Sequence, residues 1–278
     1  MFNGRSLVVA TKHEKEKVIA PILEKELGVN CFVASNFDTD ELGTFTGEVE
    51  RKYDPLTTVK NKCLLAMEIN NCDLAIASEG SFGPHPSLYF IPANDELLLF
   101  IDKKNSVEII ARELSTETNF NSASIKTKQE LNEFSAKANF PSHGLILRPA
   151  KYDFTQIVKG ITNIEKLNTA FNYFISNFGS AFIETDMRAM YNPSRMKVIE
   201  RAAIKLVEKI NSLCTNCSMP GFEITNTQKG LPCNQCNFPT QSTLSYIYTC
   251  KKCFFIKEEK FPKGKHTEDP MYCDVCNP

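Results

Sequence analysis

The chain has 278 residues, 42% of them hydrophobic and 23% charged, and its 32 Lys and Arg nearly balance 33 Asp and Glu, for a net charge of -1. That composition excludes a disordered chain and supplies no general basic field for nonspecific nucleic-acid binding, although a local patch stays open. The opening MFNGRSLVVATKHEKEK holds only a short apolar run, and ELLLFID at 96–102 falls well short of the roughly 18 apolar residues of a membrane span, so a cytoplasmic protein without a membrane partner is expected.

Residues 6–11 (SLVVAT) read as a short buried strand. Residues 14–27 follow with Val18, Ile19, Ile22, Leu23 and Leu27 at helical spacing; Pro21 implies a kink or a late start, and Gly28 a stop. Residues 31–35 (CFVAS) form a second strand, and the polar, acidic stretch at 36–47 reads as a loop on the ligand side. Asp54 and Pro55 open a helix through Ile69, with Val59, Cys63, Ala66 and Met67 inward, and residues 73–78 return as a third strand.

This alternation predicts an α/β fold, a mixed sheet with flanking helices. Strands at 96–103 and 107–114, a helix at 127–138 and a strand at 144–148 complete an expected first domain, residues 1–151. Residues 152–212 are expected to be a mainly helical extension, with a strand at 181–185, a helix at 163–178 and a longer one from Asn192-Pro193. The polar phrase TDMRAMYNPSRM between them is unusual for a mere connector.

Residues 213–278 carry the strongest chemical signal. Eight of the eleven cysteines form the pairs Cys214/Cys217, Cys233/Cys236, Cys250/Cys253 and Cys273/Cys276, separated by 15, 13 and 19 residues. Two Cys-x-x-Cys turns supply the closed tetrahedral thiolate set of structural zinc, so a small ribbon with two zinc ions is expected. Sequential pairing suits ribbon spacing, and crossed or nested pairing stays open. Disulfide or redox use is the alternative, disfavoured because redox motifs occur singly. Lys251, Lys252, Phe254, Phe255, Lys257, Lys260 and Lys263 make a basic aromatic stretch suited to nucleic acid, but Glu258, Glu259, Glu268 and Asp269 dilute it toward an ordinary solvated face. Cys31, Cys63 and Cys72 sit in apolar segments as small core residues, with a catalytic thiol as the alternative.

In DLAIASEGSFGPHP at 73–86, a strand ends at Glu79 and gives way to a Gly- and Pro-rich loop with His85. A carboxylate there can bind magnesium or act as a base, or simply cap backbone amides. Lys12, His13, Lys15 and Lys17 follow the first strand at a helix start, where phosphates are received, though a solvated helix start has the same composition. His143 and Arg148 lie in FPSHGLILRP, and Arg188 and Arg195 flank Asn192-Pro193. These arginines suit phosphate or carboxylate ligands and equally tie helices to acids such as Glu184 and Asp186.

Together with DLAIASEGSFGPHP and FPSHGLILRP, the segments VVATKHEKEKVIAPIL, FDTDELGTFTGEV, TETNF, TDMRAMYNPSRM, GLPCNQCNFPT and CDVCNP resemble an uncharacterised bacterial family of unknown function with a cysteine-rich carboxyl end. Residues 6–80, with Lys60, Lys62 and Ala66 in a K-x-K-x-x-x-A pattern before DLAIASEG, also resemble the inosine/xanthosine triphosphate pyrophosphatase superfamily. That resemblance implies a magnesium-dependent hydrolase of nucleotides or related phosphoanhydrides, with Glu79 and Asp73 at the metal and its water, and Lys12 or Lys17 at the phosphates. His13, His85, His143, Arg188 and Arg195 are further candidates for substrate contact. The chain departs from the superfamily in having His13 for its Asn, Glu16 at the place of its Lys, and a longer loop after Glu79. A non-catalytic protein that binds a nucleotide, or nucleic acid or protein through its tail, is the rival reading.

Overall fold

In the computed structural model, which describes residues 1–34 and 53–278, strand β1 (Ser6–Ala10) leads through helix α1 (Glu16–Leu27) to β2 (Asn30–Val33), and helix α2 (Pro55–Ile69) leads to β3 (Leu74–Pro84). The acidic loop expected at 36–47 lies outside the described residues. Local chemistry sets the helix ends. Gly28 ends α1 in the left-handed region (φ 66°), while Asp54 caps α2 by accepting from the Leu56 and Thr57 amides, with Pro55 in the first turn. Pro21 sits inside α1 rather than delaying its start.

β1 pairs in parallel with β2 and β3, whereas β4 (Pro92–Asp102) and β5 (Val107–Ser115) continue the sheet antiparallel, giving the order β2-β1-β3-β4-β5. Both faces are covered. Ala75, Ala77, Leu99 and Ile101 pack with Val59, Cys63, Ala66 and Met67 of α2, and Leu74, Ile76, Leu98 and Phe100 on the opposite face are equally buried. Since β1 lies between its two successors, the chain leaves it to one side and returns on the other. The carboxyl ends of β1 and β3 thus form the kind of crevice where open α/β sheets receive ligands.

β3 corrects one expectation. It does not stop at Ser78: Glu79, Gly80, Ser81 and Phe82 continue it in register with Leu97, Glu96, Asp95 and Asn94 of β4. The glycines and proline that suggest a loop are absorbed into a long two-stranded ribbon. His85 sits in its connecting turn, where Nδ1 accepts the Ser87 and Leu88 amides at 3.2 and 3.1 Å.

A second sheet has the order β6-β9-β7-β8, formed by β6 (Ser122–Ile125), β7 (Leu145–Arg148), β8 (Val158–Ile161) and β9 (Ala181–Thr185), all antiparallel. Helices α3 (Lys128–Lys137) and α4 (Ile164–Phe178) supply Leu131, Phe134, Leu167, Phe171 and Phe174 to its core. A Thr127/Glu130 capping box starts α3, and Asn163 caps α4. Two of these strands precede residue 151 and two follow it, so the stretch expected to be mainly helical contributes half a sheet. Helix α5 (Pro193–Asn211) follows.

By its contacts the chain divides into residues 1–207 and 208–278. The second unit holds an antiparallel sheet β10-β11-β12, formed by Glu223–Lys229, Thr243–Thr249 and Ile256–Lys260, with the cysteine turns around it. Among the described residues no helix is long and apolar enough to cross a membrane.

Candidate ligand and metal sites

At the carboxyl edge of β1 and β3 five charged side chains are buried: Lys15, Lys62, Glu79, Glu96 and Arg195. Period-two alternation divides them between the faces of the sheet. On the α2 face, Lys62 Nζ donates to Glu79 Oε2 at 2.7 Å. On the other face, Lys15 Nζ donates to Ser78 Oγ at 3.0 Å, and Arg195 Nε to Glu96 Oε1 at 2.7 Å.

Gly80 separates these pairs and has no room for a side chain. A Cβ there would lie 2.2 Å from Arg195 Nη2 and 2.5 Å from Glu96 Oε1. α5 aims Arg195 inward because its first turn is capped twice. The Arg195 amide donates to Asn192 Oδ1 at 2.9 Å, and the Ser194 amide to His143 Nε2 at 3.3 Å. An N–H directed at Nε2 assigns the proton to Nδ1, which faces Ser142 Oγ at 3.0 Å. Burial holds the His143 imidazole below its ordinary pKa, consistent with that neutral acceptor.

Lys15 is the exceptional member. Its ammonium forms no ion pair among the described residues, and burial first, then the nearby positive charges of Arg195 and Lys62, lowers its pKa from 10.5 to about 7; Glu96 and Glu79 offset part of this. Among the described residues, the face that holds Lys15 thus carries two cations, Lys15 and Arg195, to one carboxylate, Glu96. A small anion would restore the balance.

The candidates from sequence fall into separate places. Glu79 lines a cleft of about 260 Å³ with Asp54, Pro55, Leu56, Gly80, Ser81, Asp95, Leu97 and Arg112, and neither Lys12 nor Arg188 lines it. Asp73 stands at the opposite end of β3, half-exposed and paired with Arg5 at 2.9 Å. Six residues of extended chain, roughly 20 Å, therefore separate Asp73 from Glu79, too far for one metal. The other acids of the cleft are also engaged, Asp54 at the start of α2 and Asp95 with Arg112. Among the described residues no group of three carboxylates lies within ligating reach.

Lys12 and His13 lie in the turn before α1, where His13 and Glu14 both take positive φ (70° and 63°). Lys17 is exposed and pairs with Glu14 at 2.5 Å. Arg188 makes a bidentate pair with the buried Asp186, at 3.0 and 2.6 Å, which ties the segment after β9 together. Arg148 is buried against the rings of Phe154 and Phe182 and reaches Glu184 at 2.9 Å. Cys63 is buried with its thiol pushed up by desolvation, an inert core residue.

The thiolate clusters are built by four turns of one design. In each, the amide after the second cysteine donates to the carbonyl of the first: Ser218 to Cys214, Asn237 to Cys233, Phe254 to Cys250 and Asn277 to Cys273, at 2.8 to 3.0 Å. The hairpins then bring alternate turns together. Cys214, Cys217, Cys250 and Cys253 form one group, and Cys233, Cys236, Cys273 and Cys276 the other. The pairing is interleaved, not sequential. All eleven cysteines are free thiols, which removes the disulfide alternative.

Sulfur atoms of facing turns lie 3.7, 3.6, 3.9 and 3.6 Å apart. Tetrahedral thiolates at about 2.3 Å from a central ion are about 3.8 Å from one another, so both groups could hold a metal. Amide donors already point at the sulfurs, with Gln235 N 3.4 Å from Cys233 Sγ and Lys252 N 3.4 Å from Cys250 Sγ. Phe222, Tyr248 and Phe255 cover the first group, in place of a larger core.

No curated relative matches the chain. Residues 62–278, which include Lys62, Glu79, Glu96, Arg195 and both cysteine groups, match the family model described as Domain of unknown function (DUF6671), and the chain belongs to that family.

Proposed function

We propose that residues 1–207 bind a small phosphate-bearing molecule of the nucleotide class at the carboxyl edge of β1 and β3, and that residues 208–278 fold around two structural zinc ions. The observation that supports the ligand reading is Lys15: a buried amine near two further cations, held by a hydroxyl and, among the described residues, by no carboxylate, at the switch point of the sheet. A bound phosphate would supply the missing anion and raise the Lys15 pKa, so binding takes up a proton near neutral pH. This retains the ligand class implied by the resemblance to the pyrophosphatases. Their magnesium chemistry is not part of the proposal, because the acids are dispersed or paired.

Calorimetric titration with pyrophosphate and a panel of canonical and deaminated nucleoside triphosphates tests it. The expected result is binding by wild type and at least ten-fold weaker binding by Lys15→Met. Equal affinity of the two, or no heat from any member of the panel, contradicts the reading.

Zinc is assigned because four thiolates in a closed tetrahedron are its usual structural set, a set with no open coordination position for catalysis. Metal analysis of the purified protein is expected to give two zinc equivalents. A folded tail without metal would end that assignment.

A further inference from the structure

Three of the four cysteine turns pass through a left-handed residue just after their second cysteine: Ser218 (φ 57°), Asn237 (φ 59°) and Phe254 (φ 59°). Asparagine tolerates that backbone, whereas a bulky aromatic residue there is an outlier. Burial of the ring does not offset the strain, for Phe254 is 77% exposed. Its neighbour Phe255 is the one that packs, against Phe222 at 6.1 Å between ring centroids. A residue that is strained and gains nothing within its own chain marks a position kept for an external contact.

The same turn differs from the other three in charge. Between its cysteines stand Lys251 and Lys252, where the others have Thr215-Asn216, Asn234-Gln235 and Asp274-Val275, and Lys257 follows shortly after. These lysines are exposed, and those at 252 and 257 form no ion pair among the described residues. Of the acids that dilute the stretch in sequence, Glu268 is ion-paired with Lys265 and Asp269 accepts the Met271 amide. Glu259 accepts from Tyr248 Oη at 2.8 Å, Glu268 also from the Asp269 amide, and Glu223 pairs with Lys209 at 2.8 Å and more loosely with Lys251 at 3.5 Å. Glu258 and Glu259 of β12 form no ion pair among the described residues.

We infer that this third cysteine turn is a binding site for single-stranded nucleic acid, with Phe254 stacking on an unpaired base and Lys251, Lys252 and Lys257 meeting the flanking phosphates. An exposed ring set among cations matches the alternation of base and phosphate along a strand. An acidic peptide would use the lysines alone and leave the strain at Phe254 unexplained. The site is independent of the ligand edge in residues 1–207.

The test uses the full-length, zinc-loaded protein and short fluorescent single-stranded DNA and RNA, followed by anisotropy across a salt series. Binding at low salt that weakens as salt rises is expected, and Lys251→Glu/Lys252→Glu abolishes it. Phe254→Asn, which suits the left-handed backbone, should keep both zinc equivalents and an equal or higher Tm while binding about ten-fold more weakly. Absence of binding at low salt, or wild-type affinity in Phe254→Asn, overturns the inference. Equal binding of polyglutamate with the same lysine dependence overturns it in favour of an acidic protein partner.

Discussion

Single residues at the ligand edge work against stability, and this gives the site its testable character. The folded protein holds Lys15 at about 7 against an ordinary 10.5, so the unfolded chain binds more protons between those values. Stability from this group is complete above about pH 10.5 and is lost as pH falls toward 7. Lys15→Met keeps the apolar stem and removes the charge, and is expected to gain on the order of 2–4 kcal/mol at pH 7 in urea denaturation while losing phosphate binding. Gly80→Ala acts in the other direction. Its methyl group meets Arg195 and Glu96 at 2.2 and 2.5 Å, and a loss of roughly 1–3 kcal/mol is expected in the same measurement. Arg195→Met removes the ion-pair and hydrogen-bond partner of the buried Glu96, at a cost of about 3–5 kcal/mol, and adding Glu96→Gln should recover part of it. Recovery absent in the double variant would show that Arg195 acts through packing alone.

At the scale of elements, α5 depends on a loop far from it in sequence. His143 accepts the Ser194 amide only as neutral imidazole, and its pKa is depressed in the fold by burial, so its contribution is present above pH 6.5 and lost as pH falls through the depressed value. The side chains facing this ring are Ser142, with Oγ 3.0 Å from Nδ1, and Ser194, with Oγ 2.9 Å from Nε2. His143→Gln, which retains an acceptor, should flatten the acid limb of the stability profile by about 1 kcal/mol without unfolding the protein. Helix boundaries were legible in sequence because their signals are local, as with Asp54-Pro55, Gly28 and Asn163. β3 was not, because Gly80, Gly83 and Pro84 carry loop chemistry and become strand only through pairing with β4. The lysine cluster before α1 was visible as a group. Which member turns inward follows from the two left-handed residues His13 and Glu14, and no composition rule selects Lys15 over Lys12 or Lys17. Lys62 had a signal in its K-x-K spacing, whereas Glu96 looked like the edge of an ordinary apolar strand.

For the whole molecule, residues 208–278 have little buried apolar surface, and in the proposed reading metal takes the place of a core. Chelation is therefore expected to remove hydrogen-exchange protection from β10, β11 and β12, and protection that survives complete zinc removal would contradict this. The four turns are locally alike, so their partners could not be read from spacing. The hairpins that interleave them decide it, and they make each cysteine group span most of the unit. Zinc stoichiometry of two double variants tests this arrangement most directly. Cys217→Ser/Cys253→Ser disables one interleaved site and should retain one zinc equivalent, while Cys217→Ser/Cys236→Ser disables both and should retain none. The reverse result, one equivalent in Cys217→Ser/Cys236→Ser and none in Cys217→Ser/Cys253→Ser, would establish sequential pairing and contradict the account.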